Sequence, residues 1–108
     1  MANVCRMTVK MTVVYGKPDD AGKFDQHYND VHVPLCHELP GLQRLEVARV
    51  TGGPMGSPSP YHLITELYFA DEDALNAAMS SEAGAATGKD FMEIAPQGSF
   101  IAVAAVTE

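Results

Sequence analysis

The sequence predicts an α+β domain whose elements follow the order β-α-β-β-α-β. Three observations support this prediction: a stretch of strict two-residue alternation near the start, two helical segments that are each opened by aspartates, and an aromatic strand between them. This order is a recurrent split βαβ arrangement, which gives a four-stranded antiparallel sheet with helices on one face. A chain of 108 residues suits one such domain, spanning residues 1–108.

The first predicted strand covers residues 5–15, where apolar and polar side chains alternate. A period of two places successive residues on opposite faces of a sheet. The apolar side, which we expect to face the helices, consists of Cys5, Met7, Val9, Met11, Val13 and Tyr15. Residues 16–20 then end the strand, and either Asp19 or Asp20 is expected to cap the helix that follows.

The first helix is predicted over residues 21–31. Pro34 has no amide proton and would clash with the carbonyl group of Asp30, so we expect the helix to kink or restart there. Val33 precedes the proline and is expected to leave the helical region. A short second turn should then cover residues 35–39.

One face of this helix carries a row of aromatic side chains. Phe24, Tyr28 and His32 are spaced four residues apart, so they fall on nearly one line along a helix. Val31 and Leu35 flank the row, which indicates that this face packs inward. A histidine at the end of a buried aromatic row is the first candidate for chemistry.

The second half of the chain supplies the remaining elements. We expect strands over residues 42–51, 61–70 and 98–107, a loop over residues 52–60, and helical segments from Asp71 to about residue 80 and over residues 82–95. Gly88 is an unfavourable residue inside the last helix.

The third strand divides into two faces. The more apolar set, which we expect to face the helices, is Tyr61, Leu63, Thr65, Leu67 and Phe69. The other set, expected to face a partner sheet, is His62, Ile64, Glu66 and Tyr68. There Glu66 would need a partner such as Lys10 or Arg44. The reverse facing is also compatible with this mixed pattern, and it would bring Glu66 into the pocket.

Apolar residues occur on both sides of strands 1, 3 and 4. A domain of this size cannot cover both faces of its own sheet. A second copy that packs sheet against sheet would hide the uncovered face, so the sequence predicts a homodimer.

Composition excludes several classes of function. A net charge of −7 argues against a nucleic-acid partner, and no apolar run approaches the roughly 20 residues of a membrane span. The first six residues lack the layout of a secretion signal, so a cytoplasmic location is expected. Cys5 and Cys36 are too few for a metal or disulfide framework, and no glycine fingerprint indicates a nucleotide cofactor. We therefore expect no cofactor.

Two further histidines, His27 and His37, lie five residues on either side of His32. Five residues turn a regular helix about 140° beyond a full rotation, so the three side chains should not converge on a metal ion. We therefore predict no metal site and interpret His27 and His37 as partly exposed.

His32 and Tyr15 are the candidate catalytic residues. Free histidine titrates near ~6.5, which suits a general acid or base, and a phenol at the end of the first strand can donate to a carbonyl or enolate oxygen. The competing interpretation is that His32 only holds the kink and Tyr15 lies at the rim. Phe24, Tyr28, Met11 and Leu35 are the candidate substrate-binding residues, although methionines such as Met11 also serve as ordinary core filling.

Several short motifs resemble one known family. They are Val14-Tyr15-Gly16-Lys-Pro18, Phe24-x3-Tyr28-x3-His32-x-Pro34-Leu35, Leu39-Pro-Gly-Leu42 and Glu66-Leu-Tyr-Phe69, spread over roughly residues 5–105. In this order they are similar to the EthD family, the ethyl tert-butyl ether degradation proteins, within the dimeric α/β-barrel superfamily.

The resemblance implies a ferredoxin-like subunit that dimerises through its sheet. It also implies a pocket between sheet and helices for a small hydrophobic or cyclic metabolite, and chemistry of the kind done by cofactor-independent oxygenases, cyclases, dehydratases or isomerases, with His32 as acid or base. The alternative is a non-catalytic ligand-binding or accessory protein of a degradation or biosynthetic pathway. Kinship of fold does not decide between them.

Overall fold

The elements of the computed structural model, which describes residues 7–108, follow the predicted order. They are β1 (Val9–Gly16), α1 (Ala21–His27), a π-helical segment (Tyr28–His32), α2 (Val33–His37), β2 (Arg44–Arg49), a 3₁₀ turn (Pro54–Gly56), β3 (Tyr61–Phe69), α3 (Glu72–Ser80), α4 (Glu82–Ile94) and β4 (Phe100–Ala105). β2 and β4 are shorter at both ends than expected. The predicted position of Cys5 lies outside the described residues.

The four strands form one antiparallel sheet in the order β2-β3-β1-β4. In the centre Val13 of β1 pairs with Thr65 of β3 on one side and with Ile101 of β4 on the other. The helices pack on one face of this sheet, so the predicted α+β architecture is confirmed. No helix among the described residues is long and apolar enough to cross a membrane.

The core lies between the helices and the predicted inward face of β1 and β3. Its largest buried side chains include Tyr15, Tyr28, Phe69 and Thr65. Asp20 caps α1 by accepting from the Lys23 amide, one of the two capping residues that the sequence indicated. The facing of Thr65 and Phe69 confirms the preferred assignment of the two faces of β3.

The first helix differs from the prediction near Pro34. It does not break: Val33 is helical, with φ −58° and ψ −46°, and α2 continues to His37. The reason is the π segment, in which the Val33 amide donates to the Tyr28 carbonyl five residues earlier. This wider turn shifts the hydrogen-bond register just before the proline, so the chain passes Pro34 without leaving the helix.

The start of β3 also differs from the prediction. Tyr15 pairs with Leu63 but Gly16 pairs with Tyr61, so the register shifts and His62 is left without a partner in β1. A bulge of this kind re-aims the side chains beside it. As a result His62 turns toward α1, where it contacts Phe24 and Asp25, and Tyr61 packs against Phe100 on the opposite face.

The face of the sheet away from the helices carries both charged and apolar groups. Lys10 forms the ion pair with Glu66 over 2.6 Å, and Thr12 donates to the same carboxylate over 3.1 Å. The hydrogen bond from Lys10 lowers the pKa of Glu66. Glu66 is therefore outside the pocket, on the face of the sheet away from the helices, as the sequence predicts.

Candidate functional site

A small apolar cavity lies between the sheet and the helices. Its volume is about 100 Å³. Seven elements of the fold (β1, the π segment, α2, β3, α3, α4 and β4) and the segment after α2 line it. The lining residues are Met11, Val13, Tyr15, His32, Cys36, Leu39, Thr65, Leu67, Met79, Thr87, Gly88, Phe91 and Ile101. Gly88 and Ile101 are exposed, so they mark the mouth of the cavity between α4 and β4.

His32 lies at the wall of this cavity, only 5% exposed. Its Nδ1 lies 2.7 Å from Oδ2 of Asp90 on α4. A carboxylate only accepts, so Nδ1 carries the proton and donates to Asp90. In the neutral imidazole, Nε2 is then the unprotonated ring nitrogen, which has the lone pair that a general base needs.

The hydroxyl group of Tyr15 faces that nitrogen. Its Oη lies 3.5 Å from His32 Nε2, which is longer than the usual 2.7–3.0 Å of a hydroxyl hydrogen bond. Burial raises the pKa of Tyr15 well above its ordinary value, so the phenol stays protonated and is a donor. The contact is loose, and it leaves Nε2 accessible to a group in the cavity.

Asp90 holds a second histidine as well. His27 Nε2 lies 2.8 Å from Oδ1 of Asp90, so the carboxylate accepts one hydrogen bond on each oxygen. Burial works to raise the pKa of Asp90, but the hydrogen bonds from His27 and His32 outweigh it and the pKa is lowered. Asp90 is therefore ionised at neutral pH.

Regular helix geometry does not predict that His27 and His32 meet at one carboxylate. His27 ends α1 and His32 ends the π segment, so the step of five residues from one histidine to the other runs along the π segment. The i→i+5 bonding of a π turn places residues five apart closer to one line than an α turn does. Among residues 7–108, no group of three or more side chains is arranged to hold a metal ion.

The aromatic row is present, but only one of its three members, His32, lines the cavity. Phe24, Tyr28 and His32 stack along the helix, with ring centroids 5.8 and 5.1 Å apart. Tyr15 contacts both Phe24 and Tyr28 edge-on, at 5.5 and 5.4 Å. Of these four side chains, Tyr15 and His32 line the cavity.

The candidate substrate-binding residues divide in the same way. Met11 lines the cavity, whereas Phe24, Tyr28 and Leu35 are not among its lining residues. The Tyr28 hydroxyl is bonded to Thr65 on β3, and burial raises the pKa of Tyr28 to about 12. Phe24 and Tyr28 therefore support the wall of the cavity from behind. Val31, expected to flank the row inward, is 40% exposed because the π turn rotates it outward.

Several residues of the site were not predicted from the sequence, and Asp90, which holds His32 from behind the cavity wall, is the most consequential. It lies three residues after Thr87 on the inward face of α4, a position where a carboxylate is unusual and needs a partner. A carboxylate on the inward face of α4 was therefore the sequence signal that could have identified Asp90. Thr65, a small hydroxyl side chain between Leu63 and Leu67 in the apolar set of β3, was a similar signal.

Cys36 is the other polarisable group in the cavity. It is buried and unbridged, and burial, followed by the charge of Asp90, raises the pKa of its thiol to about 11. At neutral pH it is a protonated, weakly nucleophilic side chain that contributes apolar surface. The chemistry that this arrangement supports is thus proton transfer at His32 Nε2 with Tyr15 as the hydrogen-bond donor.

Comparison with known proteins identifies relatives over most of the chain. The EthD domain family matches residues 19–96. An uncharacterised 11.0 kDa protein from the thcB–thcC intergenic region of Rhodococcus erythropolis is 32% identical over 89 residues, which cover 82% of this chain and 85% of the relative. The crystal structure of an EthD family protein from Bacillus halodurans is 36% identical, with a TM-score of 0.88 over 94% of this chain and all of the other.

More distant structures share the fold at much lower identity. A hydroxynitrile lyase from Passiflora edulis has a TM-score of 0.79 at 12% identity, covering 95% of this chain and 96% of its own. The cofactor-independent oxygenase SnoaB from Streptomyces nogalater has a TM-score of 0.69 at 11% identity over 94% of each chain. A dimeric ferredoxin-like protein of unknown function from Thermobifida fusca has a TM-score of 0.72 at 11% identity, over 96% of this chain and 95% of its own. These matches show the ferredoxin-like fold.

Proposed function

This chain belongs to the EthD domain family, and from that premise we propose that it binds a small, uncharged, cyclic molecule in the cavity and transfers a proton on it. His32 acts as the general base and acid, and Tyr15 donates to the oxygen on which negative charge develops. The observation that carries the proposal is the bond from His32 Nδ1 to Asp90, which leaves the Nε2 lone pair beside an apolar cavity.

The cavity limits the ligand to a neutral molecule with little polar surface. Its lining is apolar except near His32, Tyr15, Thr65 and Thr87, and no lysine, arginine or glutamate is among the lining residues. The cavity volume of about 100 Å³ is smaller than the 150 Å³ cavity that accommodates benzene. The ring of a ligand therefore extends past the mouth, between Gly88 and Ile101.

A proton transfer next to a carbonyl group is the step that this site supports best. Proton transfer by a general acid or base is common to many lyase, isomerase, cyclase, dehydratase and cofactor-independent oxygenase reactions. Two proteins with this fold, at low identity, carry the names hydroxynitrile lyase and cofactor-independent oxygenase. A base such as His32 Nε2 removes a carbon-bound proton, and the Tyr15 hydroxyl stabilises the resulting enolate oxygen.

Deuterium exchange tests this proposal without knowledge of the natural substrate. Cyclopentanone and cyclohexanone are incubated with the protein in D₂O, and loss of the proton signal beside the carbonyl group is followed by NMR. We expect wild type to accelerate the exchange and His32→Gln to lower the acceleration by roughly 100-fold or more, because general-base catalysis commonly contributes that much. His62→Gln, a histidine away from the cavity, is the matched control.

Equal exchange by wild type and His32→Gln would exclude the catalytic role. The second candidate, a non-catalytic binding or accessory protein, is favoured by the 3.5 Å contact that already joins the Tyr15 hydroxyl to His32. A binding or accessory role predicts that wild type and His32→Gln bind xenon, a probe small enough for this cavity, equally well. It also predicts that neither protein accelerates deuterium exchange of the ketones.

The homodimer is also part of the proposal. On the open face of the sheet Phe100 is 47% exposed and lies beside Val14 and Ile64, its neighbours across β1 and β3. A dimer that covers this face would remove an apolar patch from water. Light scattering at micromolar concentration should give twice the monomer mass, and a Phe100→Lys variant should shift toward the monomer; a monomeric wild type would exclude this arrangement.

A further inference from the structure

His27 is not the proposed base, yet it forms a hydrogen bond with one of the two carboxylate oxygens of Asp90, the residue that holds His32. Asp90 Oδ1 accepts from His27 over 2.8 Å, and Asp90 Oδ2 accepts from His32 over 2.7 Å. The His27 side chain is 38% exposed, whereas the side chains of His32 and Asp90 are 6% and 9% exposed. His27 therefore reaches the buried pair from the surface side.

We propose that His27 is a positioning residue: by donating to Oδ1 it fixes the Asp90 carboxylate so that Oδ2 accepts the proton of His32 Nδ1, which keeps Nε2 unprotonated and facing the cavity. This rests on the proposed role of His32. The π segment is the device that makes it possible, because its wide turn brings two residues spaced by five onto one carboxylate.

The physical need for such a residue follows from the freedom of an aspartate side chain. The terminal torsion of Asp is broad and roughly two-fold, so a single hydrogen bond leaves the carboxylate able to turn. Turning would move Oδ2 away from Nδ1, and the imidazole would then be free to carry its proton on either nitrogen. A second donor on the other oxygen removes this freedom.

The two histidines also differ in what their positions allow. His32 is enclosed by Tyr28, which stacks on it at 5.1 Å, and by Tyr15. His27 borders a surface groove that also contains Lys23 and Glu93. It does not line the cavity, so it does not touch a ligand there, and its effect on catalysis must pass through Asp90.

The direct test is the tautomer of His32, measured by long-range ¹H–¹⁵N NMR on protein labelled at its four histidines, at pH 8. Wild type should show the Nδ1–H tautomer at His32. His27→Leu removes the donor to Oδ1, so His32 should become a mixture of the two tautomers. His27→Gln keeps an N–H donor of similar reach and should restore the wild-type tautomer. His37→Leu, an exposed histidine at the same spacing on the other side of His32, should change nothing.

Ketone exchange gives the second readout. His27→Leu should lower it by about ten- to a hundredfold, the range measured when outer partners of metal-bound histidines are removed, and His27→Gln should recover most of the loss. An unchanged Nδ1–H tautomer in folded His27→Leu would overturn the proposal. If that variant does not fold, His27→Ala removes the same donor and replaces it in the test. A tautomer change in a protein that exchanges no ketone would support the positioning role while refuting the catalytic one.

Discussion

The His32–Asp90 pair and the His62–Asp25 pair have the same hydrogen-bond length, 2.7 Å, and very different surroundings. Each aspartate also has a second partner, which is His27 for Asp90 and Arg49, at 3.4 Å, for Asp25. His62 lies at the bulge of β3 and packs edge-on against Phe24. His32 faces an apolar cavity that contains a tyrosine hydroxyl.

The comparison shows that an aspartate–histidine pair is not a functional site by itself. A carboxylate orients the imidazole in both places, but only the nitrogen of His32 that is left unbonded by its aspartate faces an enclosed space. The His62 side chain is 13% exposed and joins β3 to α1 through Asp25. What distinguishes the two pairs is the cavity and the protonated Tyr15 within it.

Removing the carboxylates should give the largest difference between the two regions. Asp90→Ala leaves two histidine N–H groups without their acceptor, one of them buried, so we expect the free energy of unfolding to fall by about 2–3 kcal/mol. Asp25→Ala should cost less, about 1 kcal/mol, because one of its two partners, Arg49, is exposed to water. Urea unfolding at pH 7 measures both values. Equal losses of unfolding free energy in the two variants would contradict the expectation that the more buried pair contributes more to stability.

Filling the mouth of the cavity should have the next largest effect. A side-chain carbon built on Gly88 would meet nothing within 4 Å, so Gly88→Leu can place its side chain in the mouth without a clash. We expect xenon affinity, measured by ¹²⁹Xe NMR, to fall by at least about tenfold, or roughly 1.4 kcal/mol. Gly22→Leu, at an exposed glycine of α1, is the control and should bind xenon as wild type does.

Leucine is also a better helix former than glycine by up to about 1 kcal/mol, so Gly88→Leu should be at least as stable as wild type. Unfolding curves of the two leucine variants check this point. Unchanged xenon affinity in a folded Gly88→Leu protein would contradict the assignment of the mouth to the space between α4 and β4.

The smallest expected effect is on the acid side of the stability curve. The folded state lowers the pKa of Asp90, so its contribution to stability is complete above the unfolded pKa of about 3.9 and is lost as pH falls through the lower folded value. Asp90→Asn should therefore show a shallower loss of stability than wild type from pH 5 downward. Asp19→Asn, at an exposed position, serves as the control. Parallel curves for wild type and Asp90→Asn would refute the linkage.

Much of the fold could be predicted, and the reason is visible in β1 and β3. Their alternation of apolar and polar residues repeats every two positions, and this local period assigned Val13, Tyr15, Thr65 and Phe69 to the buried face. The predicted facing of His62 and Tyr61 was wrong. His62 has no partner in β1, and this bulge reverses which side of the sheet the two side chains face. Alternation does not reveal where a strand is interrupted.

The candidate site was predictable only in part. The spacing of Phe24, Tyr28 and His32 located the row, and the end of β1 located Tyr15. The spacing of the histidines did not reveal that His27 and His32 share one carboxylate, because α-helical rotation does not hold through residues that form a π turn. Phe24, Tyr28 and Leu35 were expected in the pocket wall, but side-chain direction there depends on that same turn.

The sequence by itself determined the order of the elements, the inward faces of the central strands and the aromatic row, because each follows from a local period. Only the tertiary structure decided that Asp90, 58 residues after His32 and 63 after His27, accepts from both. That meeting depends on how α4 packs against the π segment, which no local pattern encodes. The cavity depends on the same packing, since its walls come from helices and strands that are distant in the chain and adjacent only in the fold.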